Sequence, residues 1–202
     1  AASGTTTAVG STKKQRIKIV PVGDGTVGKT TLSLCFKENR PLKEEFYIAT
    51  IFDNINCEKR LDNTLYQIEI WDTAGQEDYD KLRPLAYEMT DVVLFIFDTT
   101  EPSTLRNIKD KWLKEIARYV DNPRVVKILV ENKCDLPRNC DNEVDRKLLL
   151  ELRPNFDDFI ETSGKTMQGV NKLFENAIRI FEQRRSSQKQ GCAKFLTSCL
   201  NR

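Results

Sequence analysis

One stretch of eight residues limits what this chain can fold into more than any other. Gly23-Asp24-Gly25-Thr26-Val27-Gly28-Lys29-Thr30 fits the pattern GxxxxGK[ST] and stands between the apolar run RIKIVPV and the helix-like TTLSLCFKE. A turn of this kind belongs where a strand ends and a helix opens. Its glycines let backbone N–H groups wrap closely around phosphates, and the helix N-terminus adds positive potential. Lys29 supplies a point charge between β- and γ-phosphates, and Thr30 offers a hydroxyl to Mg2+. Thr31 follows, and Gly23 to Thr31 are together the candidate phosphate-binding residues.

The rest of the chain repeats the strand-then-helix rhythm. Strand candidates lie at Ile55 to Arg60, Leu65 to Trp71, VVLFIF, VVKILV and DFIET; helix candidates are STLRNIKDKWLKEIARYV, Val144 to Leu152, and a long segment from about Gln168. Short apolar strands alternating with helices predict an α/β fold, a mostly parallel six-stranded sheet covered by helices on both faces. In such sheets ligands sit at the carboxyl ends of the strands.

Three more motifs follow strands in this way. Asn132-Lys133-Cys134-Asp135 follows VVKILV. One carboxylate, Asp135, can accept both the N1–H and the 2-amino group of guanine, a pair of donors that adenine lacks, and leaving it unpaired in a closed site costs on the order of 1–3 kcal/mol. Thr162-Ser163-Gly164-Lys165 follows DFIE and matches a turn whose backbone N–H groups meet the guanine O6, with Ser163, Gly164 and Lys165 as binding residues. Trp71-Asp72-Thr73-Ala74-Gly75-Gln76-Glu77 ends a strand: Asp72 would hold Mg2+ through a water, Gly75 would bring its N–H to the γ-phosphate, and Gln76 would orient an attacking water.

Composition removes competing chemistries. The 202 residues contain no His, which excludes Ser-His-Asp triads, Cys-His pairs and HExxH zinc sites. Hydrolysis must then rest on an amide that positions water, on Lys29 and on a metal. Lys+Arg 32 against Asp+Glu 30 gives +2, so no global field argues for a nucleic-acid partner. The six cysteines form no CxxC pair, a pattern of reduced thiols in the cytosol.

Together the four motifs resemble those of the Ras-superfamily GTPases over Arg16 to about Gln183. GDGTVGKT, the segment Tyr47 to Asn54, and WDTAGQEDYDKLRPLAY resemble the Rho/Rac family in particular. The resemblance implies a Ras-like G domain and a small GTPase that binds GTP and GDP with Mg2+ and hydrolyses GTP slowly. Thr50 is then the switch I threonine that binds Mg2+ and senses the γ-phosphate, so that Gln76, Lys29 and Thr50 carry the catalysis. Phe52 to Asn54 form effector surface. Exchange factors, activating proteins and effectors are the implied partners, and a monomer is expected. With no cis arginine finger evident, fast turnover should need one from an activating partner.

Departures from the Rho pattern accompany the resemblance. The stretch between Asp135 and Ser163 is too short for the extra helix that marks most Rho proteins, Ala49 replaces a usual proline, and Pro21 interrupts the first strand. Either Leu42 or Phe46 packs against the base. Two other readings stay open: a Ras- or Rab-type small GTPase of another pathway, and a non-cycling, nucleotide-bound binding module. A P-loop ATPase is disfavoured by Asn132 to Asp135.

Residues 1–15 read as a disordered extension, 16–184 as the G domain, and 185–202 as a flexible basic tail. Cys199, four from the end, is a candidate for prenylation and Cys192 for a second acyl chain. The expected location is the cytoplasm, or the cytoplasmic face of a membrane held through that lipid.

Overall fold

The computed structural model describes residues 13–42, 52–73, 83–139 and 143–200, with side chains to Gln188. Six strands form one sheet: β1 (Lys13–Val22), β2 (Phe52–Leu61), β3 (Thr64–Thr73), β4 (Val92–Asp98), β5 (Val126–Asn132) and β6 (Asp158–Glu161). Their order is β2-β3-β1-β4-β5-β6. Among the described strands only β2, joined to β3 by a tight turn at Asp62 and Asn63, runs antiparallel; the pairs β1–β3, β1–β4, β4–β5 and β5–β6 are parallel. Parallel neighbours require crossovers, and these are helices: α1 (Lys29–Glu38), α2 (Pro102–Asn107), α3 (Leu113–Tyr119), α4 (Glu143–Leu152) and α5 (Val170–Leu200).

Every residue of β4 is buried, as a strand covered on both faces demands. Alternate side chains feed two cores. On one face Ile17, Ile19, Ile68 and Ile70 pack with Leu32 and Phe36 of α1 and Leu173 and Phe174 of α5. Phe36 and Phe174 stack with centroids 4.0 Å apart. On the other face Val20, Val93, Phe95 and Leu129 pack with Leu105, Ile108, Trp112 and Ile116.

The expected single helix over residues 103–120 differs in its middle. Between α2 and α3 lies a π-helical turn, Ile108–Trp112, which widens the helix by a residue. Both ends of the domain also differ from expectation. β1 begins at Lys13, inside the polar extension, because Lys13 to Gln15 pair with Thr64 to Tyr66 of β3. The helix α5 runs to Leu200, beyond Arg185 where a flexible tail was expected. Arg184 ties it to the domain by donating to Arg124 O at 2.9 Å and Val125 O at 2.7 Å and by pairing with Asp157. Between Asp135 and Ser163 the described elements are α4, a 3-10 turn at Arg153–Asn155, and β6.

Pro21 is accommodated for a geometric reason. N and O of one strand residue point to the same neighbour, and Pro21 O accepts from Thr73 Oγ1 of β3 at 3.4 Å. The missing donor therefore faces β3, where the register has already ended at Ile19 and Ile70, while pairing with β4 continues to Val22.

Candidate functional site

The strand order brings the described parts of the four motifs to one edge. The loop after β1, the end of β3, and the turns after β5 and β6 are all at carboxyl ends. Gly23 and Gly28 hold the first loop in shapes closed to other residues: φ is 147° and 96°, and a Cβ would stand 2.2 Å from Ile96 O and 2.4 Å from Asn132 Nδ2. Gly28 is also the N-cap of α1, so the loop turns directly into the helix and leaves its first N–H groups facing the loop.

Lys29 is 7% exposed and donates from Nζ to Gly23 O at 2.9 Å and Asp24 O at 2.7 Å. Burial pushes its amine down to about 8 against the opposing charges of Asp72 and Asp24. A cation held this far below its usual range is poised to gain from an arriving polyanion. Asp72 is fully buried at the end of β3, and Thr30 opens α1. Mg2+ takes one or two protein oxygens with the rest from phosphates and water. A buried carboxylate whose charge reaches Lys29, together with the hydroxyl of Thr30 next to that lysine in the chain, fits that chemistry.

Asp24 was grouped with the phosphate-binding residues, and its carboxylate has a second task. Both oxygens accept from the α2–π segment, Oδ2 from Asn107 Nδ2 at 2.7 Å and Oδ1 from Trp112 Nε1 at 2.8 Å. Two donors thus direct the charge of this acid away from the loop. Trp112 is held in turn: the Arg83 guanidinium lies 4.7 Å from its ring centroid and grips both Glu115 oxygens at 2.9 and 2.8 Å. Tyr87 donates to Glu115 at 2.5 Å, and burial together with that carboxylate pushes its phenol well above the usual range. Sequence reasoning missed these supports because no pattern links residues 24, 83, 112 and 115.

The two turns after β5 and β6 meet each other and the phosphate loop. Asn132 Nδ2 donates to Val27 O at 2.7 Å, and Thr162 Oγ1 donates to Asn132 Oδ1 at 3.0 Å. Ser163 Oγ donates to Asp135 Oδ1 at 2.6 Å, and Cys134 N to Thr162 O at 3.1 Å. A Cβ on Gly164 would stand 2.8 Å from Thr31 Cγ2, so this turn rests on α1. Lys133, with φ 62°, pairs with Asp98 Oδ2 at 2.5 Å. Burial alone would raise Asp98, but hydrogen bonds from Lys133 and Thr100 outweigh it and hold the carboxyl below its usual range. Asp135 and Lys165 remain exposed at the rim, and Thr26 (φ 64°) is exposed on the loop itself.

Thr50, Gly75, Gln76, Phe46, Cys192 and Cys199 were also singled out. Thr50, Gly75, Gln76 and Phe46 lie outside the described residues, as do the side chains of Cys192 and Cys199. Leu42 packs against the core cluster that contains Cys35 and Phe36. Burial raises the thiols of Cys35, Cys57 and Cys134, which suits inert cysteines. Among the described residues no helix is long and apolar enough to cross a membrane.

Comparison with known proteins identifies the family. Residues 18–183 match the model of the Ras family. The chain is 39% identical over 192 residues to Rho-related GTP-binding protein RhoB of Homo sapiens, covering 88% of this chain and 94% of that protein. It is 38% identical over 186 residues to Rho-related protein racE of Dictyostelium discoideum, covering 87% of this chain and 81% of that one. With that family match, those relatives and the six-stranded, mostly parallel sheet, this chain belongs to the Ras family, as a Rho-like small GTPase.

Proposed function

We propose that the chain is a Rho-like switch that holds GTP or GDP with Mg2+ along the carboxyl edge of its sheet and slowly hydrolyses the γ-phosphate. The observation that carries the reading is Asn132, whose amide ties the phosphate loop to both base turns. A ligand bridging those parts would carry phosphates at one end and a purine at the other. Gly23 to Gly28 would wrap the phosphates with backbone N–H groups, and Lys29 would leave the Gly23 and Asp24 carbonyls for phosphate oxygens. Asp135 would accept both guanine donors, Ser163 steadying its carboxylate. Lys133 and Lys165 would flank the base and ribose.

Thr30, Thr50 and Asp72 would hold Mg2+, which when bound draws charge off the phosphate oxygens. Gln76 would orient the attacking water and Gly75 would sense the γ-phosphate, so that Thr50 and the segment after Asp72 are ordered by GTP and released after hydrolysis. Rho-family proteins act with exchange factors, activating proteins and effectors, and those are the partners here. A lipid on Cys199 would give reversible membrane attachment of a monomer, and Cys192 a second chain.

The test is base exchange. Asp135→Asn replaces one acceptor by a donor, and the expected outcome is a preference moved from GTP to xanthosine triphosphate in competition titrations. An unchanged preference sinks the assignment of the base turn. Single-turnover hydrolysis in Gln76→Leu should fall well below wild type.

A further inference from the structure

Glu131 and Glu161 are partners in the parallel register of β5 and β6. Two carboxylates of one sign thus stand side by side on adjacent strands, each directly before a base turn, Asn132 to Asp135 and Thr162 to Lys165. Like charges so placed push their strands apart. The Glu131 side chain is 4% exposed, where water screens little of that repulsion, and Glu161 is 44% exposed.

Arg138 answers both. Its Nε lies 3.0 Å from Glu131 Oε1 and its Nη2 2.6 Å from Glu161 Oε1. Thr99 Oγ1 donates to the same Glu131 oxygen at 2.8 Å. Because Arg138 comes after Asp135 in the chain and returns to Glu131 before it, the ion pair ties the base loop into a closed ring. Asn139 secures the exit, its backbone N donating to Thr99 O at 3.0 Å and its Nδ2 to Thr100 O at 2.9 Å.

We propose that Arg138 is a positioning residue that clamps the two guanine-reading turns together through Glu131 and Glu161, and thereby sets both nucleotide retention and rejection of purines that lack the 2-amino group. The proposal rests on the reading of Asp135 as the base acceptor. The path is short: Ser163, two residues after Glu161, holds Asp135 Oδ1 at 2.6 Å, so strands that separate at the glutamates draw Ser163 off that carboxylate. A carboxylate left to wander takes one base donor as readily as two, and discrimination falls.

The test uses the full chain loaded with fluorescent GDP or with inosine diphosphate, the same ligand class without the 2-amino group. Arg138→Gln should release GDP on the order of tenfold faster and narrow the ratio of inosine to guanosine release rates, as the like charges of Glu131 and Glu161 then face each other without the Arg138 guanidinium between them. Adding Glu161→Gln removes the second like charge and should bring GDP release back to within about threefold of wild type. GDP release at the wild-type rate in Arg138→Gln overturns the clamp, and so does faster release that Glu161→Gln leaves uncorrected, since packing alone then accounts for Arg138. Should Arg138→Gln not fold, Arg138→Lys keeps the charge but loses the fork, and a few-fold faster release is expected; an unchanged rate again overturns the proposal. A wild-type protein that holds no GDP at all counts against the base-acceptor reading instead.

Discussion

Replacing Trp112 by phenylalanine deletes one donor and keeps a ring beneath the Arg83 guanidinium. The indole N–H reaches Asp24 Oδ1 at 2.8 Å, and the carboxylate retains only Asn107 on its other oxygen once that bond is gone. A hydrogen bond to an ionised group contributes about 1.5–3 kcal/mol, and the half-buried setting of Asp24 favours about 2. Trp112 is fully buried. The smaller ring therefore leaves a void that costs about 1 kcal/mol more. At roughly 2–4 °C per kcal/mol for a domain of this size, the variant should melt about 6–12 °C lower, compared at the same saturating GDP concentration. Because Asp24 sits inside the phosphate loop, GDP should also dissociate several-fold faster, and Asp24→Asn should cost less in the Trp112→Phe background than in wild type. A melting shift below about 3 °C together with an unchanged GDP dissociation rate would refute the reasoning, since the indole would then not be what holds the loop.

Other consequences are as direct. Gly28→Ala forces a left-handed φ of 96° on a residue with a Cβ and drives that Cβ toward Asn132 Nδ2, 2.4 Å away. The strain and the lost bond to Val27 cost about 2 kcal/mol or more, so a titration should find GDP affinity down at least tenfold, and a loss under threefold contradicts the geometry. Asp98 has its folded pKa held below the ordinary 3.8. Its contribution to stability is thus complete above that value and lost as pH falls through the folded one. Asp98→Asn should flatten the fall in stability below pH about 4 in acid titrations followed by circular dichroism, and an equally steep fall would dismiss the Lys133 pair as its source. Arg184→Ala removes the contacts to Arg124 O, Val125 O and Asp157, and amide exchange beyond residue 184 should accelerate while that of β5 does not.

How much of this was legible in advance depended on whether a residue's task is local in the chain. The turns after β1, β5 and β6 could be read because each must follow a strand, and the carboxyl-end rule placed them together before any distance was known. The supports beneath them could not. Asp24 finds its donors at Asn107 and Trp112, far along the chain, and the π-helical turn that lets Trp112 reach it leaves the apolar spacing of residues 103–120 nearly unchanged. The bounds of β1 and α5 were hard to read for a related reason. Lys13 and Lys14 look like part of a polar extension, yet β3 supplies a backbone partner for each and Glu58 lies 3.1 Å from the Lys14 amine. QRRSSQKQ has no apolar stripe, yet its residues tolerate a helix well, and the packing of Phe174, Ala177 and Ile178 starts a helix that they extend.

The contacts among the loops also determine how the site should respond to change. Asn132 touches Val27, Thr162 and the space above Gly28, while Gly164 rests on Thr31 and Ser163 on Asp135. Each loop is therefore a wall for another. Groups that share partners in this way do not contribute independently. Removing the Asn132 amide disturbs the phosphate end and the base end together, so Asn132→Ala should weaken GDP nearly as much as it weakens GTP, and adding Gly28→Ala to it should cost less than the two costs summed. Preorganisation of this kind lets two short turns and one glycine loop, none with much stability of its own, present a single rigid edge to a ligand.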